Sequence, residues 1–284
     1  MVKLRDDVDG CGCVRCQRVD GQTLRRSLFG TLRWSGALVV HRPSILLVFL
    51  GAGLLQLLAL FAPSPLAVLT IIFGVGGVFV GRGYIGVVGR DELADRSSSA
   101  TDLLGLVFSR FPSFVGAAVL IVSLLFSLGL FITVVLSEPV HVLLEWLGVQ
   151  PFAVDVLLLV AVAAGLVYAV LKFWFVPEAC FVGGYGPVTA LKTSWRITTL
   201  RRRKAILLVV GFFLLLGVGV LLDTRFADPA SPIALSVRYG ETTVVLRSFG
   251  LSFAGGLRFV FDMTITALYS GVFVHQYVSS AFDR

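Results

Sequence analysis

The sequence predicts an all-α membrane protein, a polytopic bundle of six transmembrane helices with three amphipathic interfacial helices on its cytoplasmic side. The 284 residues are 57% hydrophobic and only 14% charged, whereas soluble domains carry about 25% charged residues. The mean hydropathy is +0.92, and several apolar runs reach the roughly 20 residues that a helix needs to cross a bilayer. This number of charged residues is too small for the surface of a soluble protein. We therefore expect the lipid bilayer to be the solvent.

Six apolar segments are long enough for these helices, and the residues between them include prolines, glycines and charges that end a span. The first span follows Pro43, a residue type that suits the first turn of a helix. We assign residues 23–284 to the membrane domain and residues 1–22 to a flexible cytoplasmic tail. The predicted spans cover residues 44–61, 66–88, 112–136, 152–176, 205–222 and 257–277.

Lysine and arginine are concentrated on one side of this topology. They occur in residues 1–43, 89–111 and 177–204 but not in the loops 62–65 and 137–151, whereas the outer loop 223–250 carries Arg225, Arg238 and Arg247. Because basic loops stay in the cytoplasm, we expect a multi-pass protein of the cell membrane with both termini cytoplasmic. The net charge of +7 is therefore interpreted as a topology signal, and no nucleic-acid partner is expected.

A short amphipathic segment precedes the first, third and fifth spans. Helices of this kind lie in the headgroup plane with their basic residues toward the phosphates. Two interpretations are open: a threefold repeat of one interfacial helix and two spans, or a basic lead-in that any span would favour. The apolar positions are Leu24, Leu28 and Leu32; Leu103, Val107 and Phe111; and Val188, Leu191 and Trp195.

The third of these segments lies in the stretch 172–204, which joins spans four and five. Gly183, Gly184 and Gly186 are expected to form the turn that lets the chain leave span four and lie flat. Glu178 is expected to pair with Lys172 or with the basic cluster 201–204. The residues expected to contact lipid headgroups are Lys192, Trp195, Arg196, Arg201, Arg202, Arg203 and Lys204.

The same stretch carries a family resemblance. The segments FVPEA at 175–179 and GGYGPVTALKTSWR at 183–196 resemble a group of uncharacterised six-span prokaryotic membrane proteins. That group is related to the membrane domain found with glycerophosphodiester phosphodiesterases, and the arginine bias suits an archaeal member. The resemblance is specific over about 30 residues and implies a helical membrane bundle without assigned catalytic residues. We expect no fused phosphodiesterase domain in this protein, so the resemblance does not imply hydrolysis of lipid head groups.

Four cysteines form a possible metal site. Cys11, Cys13 and Cys16 follow a C-x-C-x-x-C pattern, and Cys180 is expected on the same side of the membrane. Four thiolates could bind zinc. Reduced cytoplasmic thiols in a disordered tail or an acylation site are the alternatives.

Two local patterns within the spans predict helix packing and an ion pair. Gly77 and Gly81 follow the small-residue spacing that lets membrane helices approach closely. Arg258 and Asp262 are four residues apart in the last span and can form an intramembrane ion pair. The pair would be either an interfacial structural feature or a site for a substrate or proton.

The loop before the last span is predicted to contain a β-hairpin. Apolar and polar residues alternate from Ile233 to Gly240, and the segment 242–247 follows a Tyr-Gly-Glu turn. An interfacial helix is the alternative.

No motif of a catalytic site is evident, so we expect a protein that is not an enzyme and has no cofactor other than possible zinc. The first hypothesis is a membrane scaffold or accessory component that acts through membrane lipids and a protein partner on its cytoplasmic face. The alternative is a small-molecule transporter or permease-like protein. The span centres carry almost no charge, which counts against ion coupling.

Overall fold

The computed structural model describes residues 26–58, 64–94, 98–132, 137–148, 150–200, 202–226, 234–239, 242–248 and 253–282. The tail 1–22, with Cys11, Cys13 and Cys16, lies outside the described residues, as does Arg201. The helices are α1 Leu28–His41, α2 Ser44–Leu58, α3 Ser64–Leu93, α4 Ala100–Phe131, α5 Ser137–Trp146, α6 Pro151–Phe173, α7 Val176–Phe181, α8 Pro187–Leu200, α9 Arg202–Phe226 and α10 Phe253–Phe282. Two strands, β1 Ala234–Tyr239 and β2 Thr242–Ser248, separate α9 from α10.

The predicted membrane bundle is confirmed. Within the described residues, five segments are long and apolar enough to cross a membrane, in α3, α4, α6–α7, α9 and α10. A sixth span exists if α1 and α2 are counted together, and these two helices meet at an angle of 83°. The predicted first span therefore corresponds to α2, whose 15 residues extend only about 22 Å.

The interfacial helix predicted before the third span does not exist as a separate element. Leu103 and Val107 lie in the first turns of α4, a continuous helix of 32 residues that passes through Pro112. Ser99 caps its start by accepting a hydrogen bond from the Asp102 amide. Both apolar side chains are buried in the protein, so packing against the core outweighs the hydrogen bond that proline removes.

The core lies at one end of the bundle. It is formed by α1, α7, α8, the first halves of α2, α4 and α9 and the second halves of α3 and α10, and we call this region the packed end. Tyr84, Phe175, Phe181 and Phe273 are fully buried there. Toward the other end the helices expose large apolar side chains, as on α4 and α6, which is expected where lipid replaces water as the solvent.

Glycines on α3 allow the close approach that the sequence predicts. A Cβ at Gly77 would lie 2.8 Å from Ala52 Cβ, and one at Gly81 would lie 2.9 Å from Phe49 Cζ. Both contacts join α3 to α2. Gly83 performs the same role toward α7, because its Cβ would lie 2.7 Å from Phe181 Cγ.

We expect Gly83→Ala to destabilise the protein by about 1–3 kcal/mol, because the added methyl group overpacks the contact with Phe181. Gly165→Ala is the matched control, since a Cβ at this α6 glycine meets nothing within 4 Å. Thermal unfolding in detergent, followed by size-exclusion chromatography, measures both variants. Equal melting temperatures for the two would contradict the packing role of Gly83.

The hairpin predicted in the last loop is confirmed. Strands β1 and β2 are antiparallel, with Tyr239 opposite Thr242 and Leu235 opposite Arg247. The register shifts between Leu235 and Ser236, as in a β-bulge.

Candidate functional site

The chain from α6 to α8 is a broken helix that turns back into the protein. Helix α6 ends at Phe173, and all six residues of α7 are buried. A break at this depth exposes peptide groups that need partners. Ser194 of α8 supplies two of them: its Oγ accepts from the Phe175 amide at 3.1 Å and donates to the Lys172 carbonyl at 2.7 Å.

Ser194 and its neighbour Trp195 both stabilise the break between α6 and α7. Beside Ser194, the Trp195 ring lies 4.8 Å from Lys172 Nζ, which also lies over Tyr168 and donates to Thr199 Oγ1 at 2.7 Å. The Ser194 hydroxyl satisfies two peptide groups at the helix break. The Trp195 indole contacts Lys172, in the last turn of α6, through a cation–π interaction.

We expect Ser194→Ala to lower the free energy of unfolding by about 1–3 kcal/mol, because two buried peptide groups would lose their partner. Ser109→Ala is the control: this serine is exposed and, within the described residues, its hydroxyl donates to the Leu106 carbonyl of its own helix. Melting temperatures of the two variants provide the measurement. A loss for Ser194→Ala no larger than for Ser109→Ala would show that the break is closed without this hydroxyl.

A buried ion pair holds α7 against α3. Arg82 Nε donates to Glu178 Oε1 at 2.7 Å, and Nη2 donates to Oε2 at 3.0 Å and to the Trp174 carbonyl at 2.9 Å. The guanidinium also lies 5.0 Å from the ring centres of Trp174 and Phe273. Glu178 is only 2% exposed, so both charges depend on this bidentate contact.

This arrangement corrects the predicted partner of Glu178, because Arg82 holds its carboxylate and Lys172 donates to Thr199 Oγ1 instead. Arg82 was missed because it stands among glycines that were interpreted only as packing residues. A lone arginine within an apolar span was the available signal, since such residues face the interior of a bundle.

The turn after α7 follows the predicted glycine pattern. Gly184 has φ +63°, a conformation that L side chains rarely adopt. Arg110 of α4 secures this turn by donating to the Phe181 carbonyl at 2.6 Å. Burial raises the pKa of Tyr185, in the same turn, to about 12, so its phenol is neutral at physiological pH.

The second ion pair lies on α10. Arg258 Nε donates to Asp262 Oδ2 at 2.8 Å, as the spacing predicts. Gly219 of α9 makes room for the guanidinium, because a Cβ there would lie 2.5 Å from Arg258 Cζ. The pair is therefore enclosed between two helices and is largely removed from the surface.

Between these two ion pairs lies a cavity of about 320 Å³. Its wall contains Arg82 and Asp262, the hydroxyl residues Thr266 and Ser270, and Trp174. The other lining residues are apolar: Phe49, Gly53, Val78, Phe79, Phe212, Leu216, Phe259, Met263 and Phe273. An apolar pocket with a few convergent polar groups is typical of small-molecule sites.

Two polar atoms of the residues that line this cavity lack a partner in the described part of the protein. Trp174 Nε1, a donor, and Asp262 Oδ1, an acceptor, are buried and make no hydrogen bond there. Burying such a group without a partner costs about 1–3 kcal/mol. A ligand that reached these atoms could accept a hydrogen bond from Trp174 Nε1 and donate one to Asp262 Oδ1.

The other predicted site residues lie elsewhere. Lys192, Trp195 and Arg196 are exposed on α8, and Arg202 and Arg203 are exposed at the start of α9. The buried face of α8 is formed instead by Ala190, Thr193, Ser194, Ile197 and Thr198. The exposed basic surface is thus separate from the cavity.

The predicted zinc site stays a prediction, because Cys11, Cys13 and Cys16 lie outside the described residues. Its fourth residue, Cys180, is fully buried within α7. No group of three His, Cys, Asp or Glu residues suited to a metal occurs in the described part of the chain. Ligands from the tail lie outside that part.

Comparisons with known proteins identify no relative of this chain. No protein-family model, curated protein or solved structure matches the chain. The function must therefore be inferred from the cavity and its residues.

Proposed function

We propose that the protein is a permease-like membrane protein that binds a small molecule in the cavity between Arg82 and Asp262 and lets it pass without chemical change. The observation that carries this proposal is the pair of buried, unpartnered atoms Trp174 Nε1 and Asp262 Oδ1. A bundle that served only as a scaffold would gain stability from apolar residues at these positions.

The position of the cavity supports the proposal. Arg82 precedes Arg90 by eight residues on α3, which places it roughly 12 Å deeper along the helix. The break between α6 and α7 adjoins the cavity at Trp174. Transporters commonly build their sites near the midplane from interrupted helices.

The charged residues beside the cavity favour the transporter hypothesis over the scaffold hypothesis. The scaffold hypothesis drew on span centres that carry almost no charge in sequence. The ion pairs Arg82–Glu178 and Arg258–Asp262 now supply charged groups on either side of the cavity. Intramembrane charges of this kind mark substrate and ion pathways.

We further propose that the basic residues of α8 and α9 face the cytoplasm, with both termini on that side of the cell membrane. The exposed side chains of Lys192, Arg196, Arg202 and Arg203 would lie against anionic headgroups. A protein partner could use the same surface. This orientation agrees with the distribution of basic residues over the loops.

Cysteine accessibility tests the cavity. In a background with Cys11, Cys13 and Cys16 replaced by serine, Thr266→Cys places a thiol on the cavity wall. We expect a hydrophilic but uncharged methanethiosulfonate that carries a sugar group to modify it, because a polar site for passage must be reachable from water. Thr264→Cys is the control, since Thr264 is exposed on the outer face of α10, where hydrocarbon excludes the reagent.

Equal reactivity of the two thiols would overturn the proposal, because it would show no aqueous access particular to the cavity. Small molecules that co-purify with the protein can be identified in parallel by mass spectrometry. Solute flux into vesicles that contain purified protein would separate passage from binding alone. If the cavity is accessible and binds a molecule but no flux occurs, the hypothesis of an accessory membrane component would be supported instead.

A further inference from the structure

A second, larger recess lies on the side of the bundle. It has a volume of about 1040 Å³ and lies between α2, α3 and α4. Apart from Ser123, its lining residues are apolar side chains and glycines. Phe73, Val119 and Val122 line this groove and are largely exposed on the apolar outer surface. The groove therefore opens toward the hydrocarbon of the membrane, where an acyl chain is the available occupant.

A smaller pocket of about 240 Å³ lies between this groove and the polar cavity and shares lining residues with each. It shares Arg82 and Trp174 with the cavity, and Phe114 and Ala118 with the groove. Phe79 lines all three spaces, and its ring lies 4.7 Å from that of Phe114. Single side chains thus separate an apolar recess at the membrane from the polar groups within the bundle.

The charges of the cavity restrict the head group of such a ligand. Arg82 and Asp262, the two charged residues that line it, have opposite signs, and each already has an ion-pair partner. A charged head group would enter a low-dielectric site in which each opposite charge is already paired, so its burial would be unfavourable. A hydroxyl can accept from Trp174 Nε1 and donate to Asp262 Oδ1 without adding charge.

We propose that the ligand is an uncharged, single-chain amphiphile that enters sideways from the membrane, with its hydroxyl head between Trp174 and Asp262 and its chain leading through the groove. This inference rests on the proposed function, because it assigns a substrate class to the same cavity. Phe79 and Phe114 are the side chains that the chain must pass.

Quenching of Trp174 fluorescence tests this assignment. The protein is prepared with Trp34, Trp146 and Trp195 replaced by phenylalanine, so that Trp174 is the remaining tryptophan. It is titrated with dibrominated octadecanol, octadecanoate and octadecylamine, which share one chain and differ in the charge of the head. We expect the alcohol to quench saturably at a concentration about tenfold lower than the acid or the amine.

Variants on α4 test the route of entry. Ala118→Phe fills the junction between the groove and the smaller pocket and is expected to abolish the saturable quenching. Leu120→Phe is the matched control, because Leu120 is exposed on the same helix and lines none of the three spaces described above. If the tryptophan replacements prevent folding, the shift in melting temperature of the protein with its native tryptophans gives the same comparison.

Equal binding of the three head groups, or unchanged binding in Ala118→Phe, would overturn the assignment. If the Thr266→Cys thiol still reacts from water in that case, the cavity remains a site for a water-soluble molecule. If that thiol is unreactive as well, the proposed function fails together with the substrate class.

Discussion

Replacing either partner of the Arg82–Glu178 pair should destabilise the protein by about 3–5 kcal/mol, because the remaining charge would be buried without a counter-charge. Arg82→Met leaves a carboxylate that is 2% exposed, and Glu178→Met leaves a guanidinium between two aromatic rings. Thermal unfolding in detergent measures each loss. The effect is expected to be the largest of any single change proposed for this chain.

The double variant Arg82→Met/Glu178→Met separates the cost of an unpaired charge from the cost of lost packing. We expect it to recover most of the stability, because a buried ion pair can be replaced by apolar side chains at little net cost. A double variant as unstable as the sum of the single changes would contradict this argument. It would show that the bond from Arg82 to the Trp174 carbonyl carries the stability instead.

An exposed ion pair provides the control. Arg42 and Glu92 are 3.9 Å apart, with side chains 41% and 47% exposed. Arg42→Met should change the stability by no more than about 1 kcal/mol, because solvent and ions screen such a pair. A loss comparable with that of Arg82→Met would mean that the assay responds to arginine content and not to burial.

The features that the sequence predicted correctly are local in the chain. The apolar runs gave the spans, the period-two alternation gave the hairpin, and the spacing of four residues gave the contact between Arg258 and Asp262. Each of these depends on neighbours within one helix, one strand pair or one loop. Such patterns are set by backbone geometry, so a sequence displays them directly.

The features that sequence analysis missed depend on partners far apart in the chain. Arg82 and Glu178 are 96 residues apart, and Ser194 bonds to a carbonyl 22 residues earlier. No periodicity records which of several basic residues a buried carboxylate will meet. The continuity of α4 was missed for a related reason, because the burial of Val107 outweighs a local proline signal.

The cavity itself illustrates the same limit. Its polar atoms come from α3, α10 and the break after α6, which no pattern in the sequence brings together. The ion pair on α10 was predicted, but its place beside a cavity was not. The proposed role of Asp262 in ligand binding therefore rests on its place in the cavity wall, which only the packed structure shows.

Asp262→Asn should abolish retention of the proposed ligand while costing less stability than a change at Glu178. The amide that replaces the carboxylate weakens both the acceptor at Oδ1 and the bond from Arg258. Arg258 stands five residues after the start of α10, so its long side chain can reach the membrane interface when its partner is lost. Arg82 lies deeper and has no such escape.

Mass spectrometry of co-purified small molecules measures the loss of retention, and thermal unfolding measures the stability of the same preparations. Asp155→Asn is the control, because Asp155 pairs with His141 and is 69% exposed, away from the cavity. Asp262→Glu keeps the charge and should restore part of the binding. Undiminished retention in Asp262→Asn would show that its carboxylate serves only to hold Arg258. The unpartnered oxygen would then have no role in recognition, and the cavity would have to select its ligand through Trp174 and the apolar wall.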